Sequence, residues 1–453
     1  MRRLLRNVPF RRLFLGRLVT NAGDSVYYIA AMWLVYDLTG DPAMSGLAGF
    51  LSAAPSGLQF LTGPLVDRWK LRHVLVGTQL VQFILICSIP VADALGALSA
   101  PLVLVVMPLL ALTNQFVYPA QTAALPRIVD RDELVSANSL FSLAYQGVDA
   151  GFNALAGVLI AVVGAVTLFL VDAVTFLVAA LLFAGVVVPP SAQTDDSSAA
   201  ETGESGEPGE PDGPVVADGG DDESGEKTDG GGDSDGDSGA DADLSYLTSL
   251  REGIDYLRGT VVTYIVVGAV VVNFAFGAAL ASLPAYADGL GGAGVYGAFM
   301  AAVAGGMFAG ALGASKVKSR RFGRFNIVGF SVSGTLWLAS VAAATTANAV
   351  ALVIALFAVA MVPVGAGNVL ISALVQSIVP DRLLGRVSSV IGSAASAAVP
   401  FGSLVGGVVA GATSPAVLLV AAGVSLLCLG GYWAAVPTLR RMPSISETET
   451  LRI

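Results

Sequence analysis

Charge is scarce in this chain. Only 13% of its 453 residues are Asp, Glu, Lys or Arg, while 55% are hydrophobic; soluble globular proteins are about 25% charged. A chain this long and this apolar has no water-soluble core large enough to hide its hydrophobic surface. Histidine occurs once and cysteine twice. Neither a metal centre nor a disulfide framework can be built from so few ligands, so no metal is expected. Cys87 and Cys428 lie within apolar runs and read as small core residues. The single His73 reads as an interfacial residue. There is no phosphate-cradling Gly-rich loop followed by Lys-Ser/Thr and no catalytic constellation. These absences argue against an ATP-driven pump and against an enzyme, and no cofactor is expected.

What the chain does contain is apolar runs. Twelve are present, roughly at 13–37, 44–66, 74–92, 101–125, 137–162, 165–188, 259–283, 294–315, 325–345, 348–373, 388–410 and 415–437. Most are about 20 residues long or more, enough to cross a ~30 Å hydrocarbon layer as helices. The start, "MRRLLRNVPFRR", imitates a signal peptide, but no cleavage site followed by a polar chain comes after it, so the first run reads as a spanning helix.

Cations alternate along the chain. They cluster before the first run, in every even-numbered break and after the last run; no Lys or Arg falls in an odd-numbered break. The positive-inside rule therefore places both termini and all even breaks in the cytoplasm. Arg17, at the edge of the first run, is expected to snorkel to the interface. Residues 189–243 hold eighteen acids and one Lys, a charge of −17, whereas the rest of the chain holds sixteen acids and twenty-three cations, a charge of +7. The acidic stretch is rich in Gly, Ser and Pro and cannot bury enough surface to order itself. The expected division is a six-helix unit over 1–188, an acidic disordered cytoplasmic linker over 189–250, a second six-helix unit over 251–440 and a cytoplasmic tail over 441–453.

The halves share a weak repeat. "PRIVDRDELVSANSL" (126–140) aligns with "QSIVPDRLLGRVSSV" (376–390) at an offset of 250, pairing Leu134 with Leu384 and Ser139 with Ser389. Parallel six-helix repeats are one plan on which transporters are built, with substrate held between the halves.

The second break reads "GPLVDRWKLRHVL" (63–75). Here the sequence resembles the major facilitator superfamily, whose signature in this loop falls on Gly63, Leu65, Asp67, Arg68 and Arg72; Lys70 and Leu71 depart from it. The stretches "FRRLFLGRLVTNAGDSVYYIAAMWLVYDLTG" (10–40), "YPAQTAALPRIVDRDELVSANSL" (118–140) and "FLVDAVTFLVAALL" (169–182) resemble the branch that includes enterobactin-exporter-like and macrolide-efflux-like permeases. The resemblance implies an all-α polytopic membrane protein of the major facilitator fold, with twelve transmembrane helices in two six-helix pseudo-repeats. Two features frequent in proton-coupled drug antiporters are missing: a cation in the fourth helix, which reads "ALTNQFVYPAQ", and a Gly-Pro pair in the fifth, where Gly151-Phe152 stands instead.

Three acids fall inside the runs: Asp24, Asp149 and Asp172. A carboxylate at mid-helix costs about 2.5–3.5 kcal/mol on insertion scales, so each needs a partner, water or a proton. Asp24 and Asp149 are the proton-coupling candidates, and Asp172 reads as structural. Asn21, Tyr27 and Tyr28 beside Asp24, and Gln146 and Asn153 beside Asp149, are the candidate cavity lining. No Lys, Arg or His lies deep in a run, which argues against strongly anionic substrates. The expected protein is a secondary active transporter that exports small amphipathic or hydrophobic compounds by proton antiport with alternating access. Its expected setting is the plasma membrane, as a multi-pass monomer whose partners are the lipid bilayer, a small-molecule substrate and protons, with no nucleic acid. Uptake, uncoupled facilitation and a non-transporting sensor or scaffold are the alternatives.

Overall fold

The computed structural model describes residues 2–58, 66, 69–187, 257–317, 321–346 and 349–444. The acidic stretch 189–250 lies outside the described residues, as do Gly63, Leu65, Asp67 and Arg68. All regular structure among the described residues is helical. The helices are α1 (Arg2–Arg6), α2 (Val8–Thr39), α3 (Pro42–Ala53), α4 (Leu71–Ala94), α5 (Ala100–Asn114), α6 (Val117–Ile128), α7 (Leu134–Val163) and α8 (Ala165–Ala184). After residue 256 come α9 (Val261–Gly291), α10 (Ala293–Val317), α11 (Phe322–Ala343), α12 (Val350–Ile378), α13 (Asp381–Ala412), α14 (Pro415–Ala435) and α15 (Pro437–Arg440).

Nine candidate spans among the described residues are long and apolar enough to cross a bilayer: α4, the 100–128 stretch of α5 and α6, α8, α9, the 293–314 part of α10, α11, α12, the 390–412 part of α13, and α14. The first, second and fifth apolar runs of the sequence fall on α2, on α3 with the 3-10 turn after it, and on α7, which are not among the nine. Helix α2 owes its lower hydropathy to Arg17, Thr20, Asn21, Asp24 and Ser25 along its middle.

Local chemistry sets the ends of α2. Asn7 caps its start, its side chain accepting from the Phe10 N–H at 3.2 Å, with Pro9 in the first turn. Gly40 ends it in the left-handed conformation, φ 64°, with its N–H bonded to the Tyr36 carbonyl. Asp41 then caps α3 by accepting from the Ala43 N–H at 2.8 Å. At the opposite end Arg3 pairs with Asp130 and Glu133, at 3.2 and 3.7 Å, tying α1 to the turn after α6.

The segments before residue 188 and after residue 256 pack together near breaks one, seven and eleven. Helices α3 and α13 touch backbone to backbone: a Cβ on Gly46 would stand 2.4 Å from the Ser403 carbonyl oxygen and 2.8 Å from Gly407 Cα. Phe50 meets Phe401, Trp33 stacks on Tyr296 at 5.3 Å, and the Tyr36 hydroxyl donates to Asp288 at 3.3 Å. Small residues that let helix backbones touch are the usual device of membrane helix packing.

Candidate functional site

The middle of α2 carries the site. Asp24 lies sixteen residues past Val8, roughly 24 Å along a helix of about 48 Å at ~1.5 Å per residue. It is half-buried, and its Oδ2 accepts from the Asn114 amide at the end of α5, 3.3 Å away.

Helix α8 brings a second acid against the same turn. Asp172 is only 1% exposed. A Cβ on Gly23 would stand 1.8 Å from Asp172 Oδ1 and 2.5 Å from Thr175 Oγ1, so the carboxyl packs directly on the bare backbone beside Asp24. The Thr175 hydroxyl lies 2.8 Å from both Asp172 Oδ1 and the Asp172 carbonyl, and its one proton serves one of them at a time. Asp172 Oδ2 is buried with no hydrogen-bond partner among the described residues. Asp172 thus sits against the residue next to Asp24, with Tyr27 one turn further along α2. Two carboxylates within Coulomb reach in a poorly solvated place repel when both are ionised, and a proton on either relieves the repulsion. Tyr27 is buried within this cluster rather than on an open wall, while Asn21 and Tyr28 are half-buried.

Two turns before Asp24, Arg17 departs from the snorkelling expected of it. It is 7% exposed. Its Nε donates to Gln121 Oε1 of α6 at 2.9 Å and to the Tyr145 hydroxyl of α7 at 3.1 Å, and Nη1 reaches Thr20 Oγ1 at 3.5 Å. The guanidinium also lies 5.5 Å from the centre of the Tyr145 ring, and the Tyr145 hydroxyl donates to Gln121 as well. The cause of the difference is where the helix begins: α2 starts at Val8, so Arg17 is already roughly 13 Å in, under α6 and α7. Among the described residues Arg17 forms no ion pair. A cation does therefore lie inside the helical packing, contrary to the sequence reading.

The remaining expected residues are placed as follows. Gln146, Asp149 and Asn153 lie on α7, with side chains outside the described residues. Arg72 is exposed at the start of α4, and His73 is exposed beside it. Cys87 is half-buried and Cys428 exposed, so Cys428 is not a core residue. Phe276, on α9, lines a cavity of about 120 Å³ together with Asn273, Met307, Trp337, Met361 and Asn368 among others. Its walls come from five helices distant along the chain. No group of residues fit to hold a metal occurs among the described residues.

Long apolar helices that pack through glycine contacts and hold an acid pair and an arginine inside define an all-helical, multi-pass integral membrane protein. A family model described as Major Facilitator Superfamily matches residues 13–396. The chain belongs to that superfamily. It is 33% identical over 143 residues to the uncharacterized MFS-type transporter Rv0037c of Mycobacterium tuberculosis, across 30% of this chain and 32% of that protein. It is 25% identical over 174 residues to the uncharacterized MFS-type transporter YvqJ of Bacillus subtilis, across 38% and 41%. The chain thus spans about a third to two-fifths of the length of the curated relatives it matches. In fold it is similar to the crystal structure of a bacterial homologue of the iron transporter ferroportin in an inward-facing state, with a TM-score of 0.61 at 15% identity, over 96% of this chain and 100% of that one.

Proposed function

We propose that this transporter exports small amphipathic or hydrophobic compounds by proton antiport, with Asp24 and Asp172 as the proton-carrying pair. The carrying observation is their arrangement: Asp172 packed on Gly23, with Asp24 at the next position of α2 held by Asn114. Asp149 is retained as a further proton-coupling candidate. Twelve spans in two six-helix pseudo-repeats, a plasma-membrane location, cytoplasmic termini, a monomeric state and kinship with the enterobactin-exporter-like and macrolide-efflux-like permeases belong to the same reading.

The cycle follows from charge and packing. If breaks one, seven and eleven face outward, the Gly46–Gly407 seam closes the outer side and the molecule opens to the cytoplasm. In that state the acid pair gives up a proton, and the negative charge it gains favours a cationic or polarised substrate. Opening outward then exposes the pair to a more acidic phase, where protonation removes that charge and the substrate leaves. By linkage, whatever weakens substrate binding on protonation also weakens proton binding when substrate is present. Asn114 is the dipole that stabilises the ionised Asp24, and buried Arg17 supplies a fixed positive charge two turns away.

Inside-out vesicles containing the protein test the proposal, with ethidium as the amphipathic probe. An imposed acid-inside gradient is expected to drive ethidium accumulation that an uncoupler abolishes. Accumulation that ignores the gradient indicates uncoupled facilitation, movement only in the opposite sense indicates uptake, and no flux of any tested compound supports the sensor or scaffold.

A further inference from the structure

The cavity of about 120 Å³ lies among α9, α10, α11, α12 and α14, away from the acid pair. Glycines bring its walls together. A Cβ on Gly306 of α10 would meet the Ala358 carbonyl of α12 at 2.3 Å, and one on Gly365 of α12 would meet the Met307 carbonyl of α10 at 2.1 Å. This contact sets Met307 and Met361 side by side in the wall, where flexible thioethers adapt to what they touch. Phe276 and Trp337 form an aromatic corner, edge to face at 6.3 Å. No ionisable side chain lines the space.

One donor in its wall is left without a partner. The single proton of Ser425 goes to the Ala422 carbonyl at 2.7 Å, and one amide proton of Asn273 goes to Ala269 at 2.9 Å. The Trp337 indole N–H is buried and has no acceptor among the described residues. That edge of the ring faces α14: a Cβ on Gly423 would stand 3.1 Å from Trp337 Cδ1, the atom bonded to Nε1. Gly423 is flanked there by Ala422, Ser425 and Leu426 of the cavity wall. A buried donor without a partner is costly, and it is satisfied when an acceptor enters. Asn368, exposed on α12, places a second amide at the same space.

We infer that this cavity is a binding site for the neutral end of a small molecule, an apolar ring or short chain bearing one carbonyl or ether oxygen that accepts from Trp337 Nε1–H. The identity of the occupant as transported compound rests on the export proposal; the binding itself does not. The site complements the acid pair: one half of the molecule offers titratable charge, the other an uncharged donor in an aromatic and thioether pocket.

The test is binding of cyclohexanone against methylcyclohexane, two probes of similar size of which only the first has an acceptor. Saturation-transfer NMR on the full chain in nanodiscs, corrected for partition into empty nanodiscs, reads both affinities without any gradient. A failed transport assay therefore leaves this readout intact. Cyclohexanone is expected to bind about five- to tenfold tighter than methylcyclohexane, the size of one net hydrogen bond. Trp337→Phe, which keeps the aromatic wall and removes the donor, should bring the ratio to about one. Ser425→Leu, which fills the space instead, should abolish specific binding of both probes. An unchanged preference in Trp337→Phe, or specific binding that survives Ser425→Leu, overturns the inference.

Discussion

Placing one methyl group on Gly46 should unlock the seam between α3 and α13. The Cβ of an alanine there would lie 2.4 Å from the Ser403 carbonyl oxygen and 2.8 Å from Gly407 Cα, both backbone atoms that cannot rotate away. Ordinary contact begins near ~3.5 Å, so α3 and α13 must part by roughly 1 Å. Overpacking of this kind costs about 1–3 kcal/mol. The cost falls only on the state in which the two helices touch, so its population relative to the outward-open state drops about 5- to 150-fold. Gly49→Ala is the matched control, because its nearest neighbours would stand 3.4 Å away, Met32 Cε and the Ser403 side chain among them. Spin labels at Thr39 and Thr413, exposed at the adjoining helix ends, read the separation by pulsed EPR. Gly46→Ala should add a longer-distance population, and Gly49→Ala should not. Identical distance distributions for wild type and Gly46→Ala would refute the assignment of this seam as the closed gate.

Gln121→Leu removes the oxygen that receives both Arg17 Nε and the Tyr145 hydroxyl, and should lower unfolding stability by about 1–3 kcal/mol; Gln121→Glu, which restores an acceptor, should recover most of it in the same denaturation assay. Gly23→Ala drives a methyl into Asp172 and Thr175, so it should reduce thermal stability sharply, with partial recovery when combined with Asp172→Ala. Deleting much of 195–240 should leave flux nearly unchanged provided the remaining chain spans the two halves, if the stretch acts through reach alone; loss of flux at normal expression points to a docking role.

Asp24 was visible in the sequence because a carboxylate in an apolar run stands out against its neighbours. The end of α2 was visible too, in Gly40 followed by Asp41. The pairing of Asp24 with Asp172 was not, since 148 residues separate them and nothing in either helix announces the register in which α2 and α8 meet. Gly23 decides that register, and in the sequence it reads as one small residue among many. Arg17 was misplaced for a simpler reason: an apolar run marks the hydrophobic part of a helix, while the cap at Asn7 starts α2 several residues earlier. Nothing in the sequence marks Trp337, because an unsatisfied indole N–H exists only once Gly423 has brought α14 against the ring.

The central claim is that Asp24 and Asp172 carry the coupled proton. Ethidium flux in inside-out vesicles, measured at a series of pH gradients for wild type, Asp24→Asn and Asp172→Asn, tests it most directly. Both variants keep shape and remove titration. Each variant should remain folded and inserted, lose gradient-driven accumulation, and retain binding of neutral compounds better than binding of cations. Gradient dependence equal to that of wild type in both variants would show that neither acid carries the proton and would move the coupling role to Asp149.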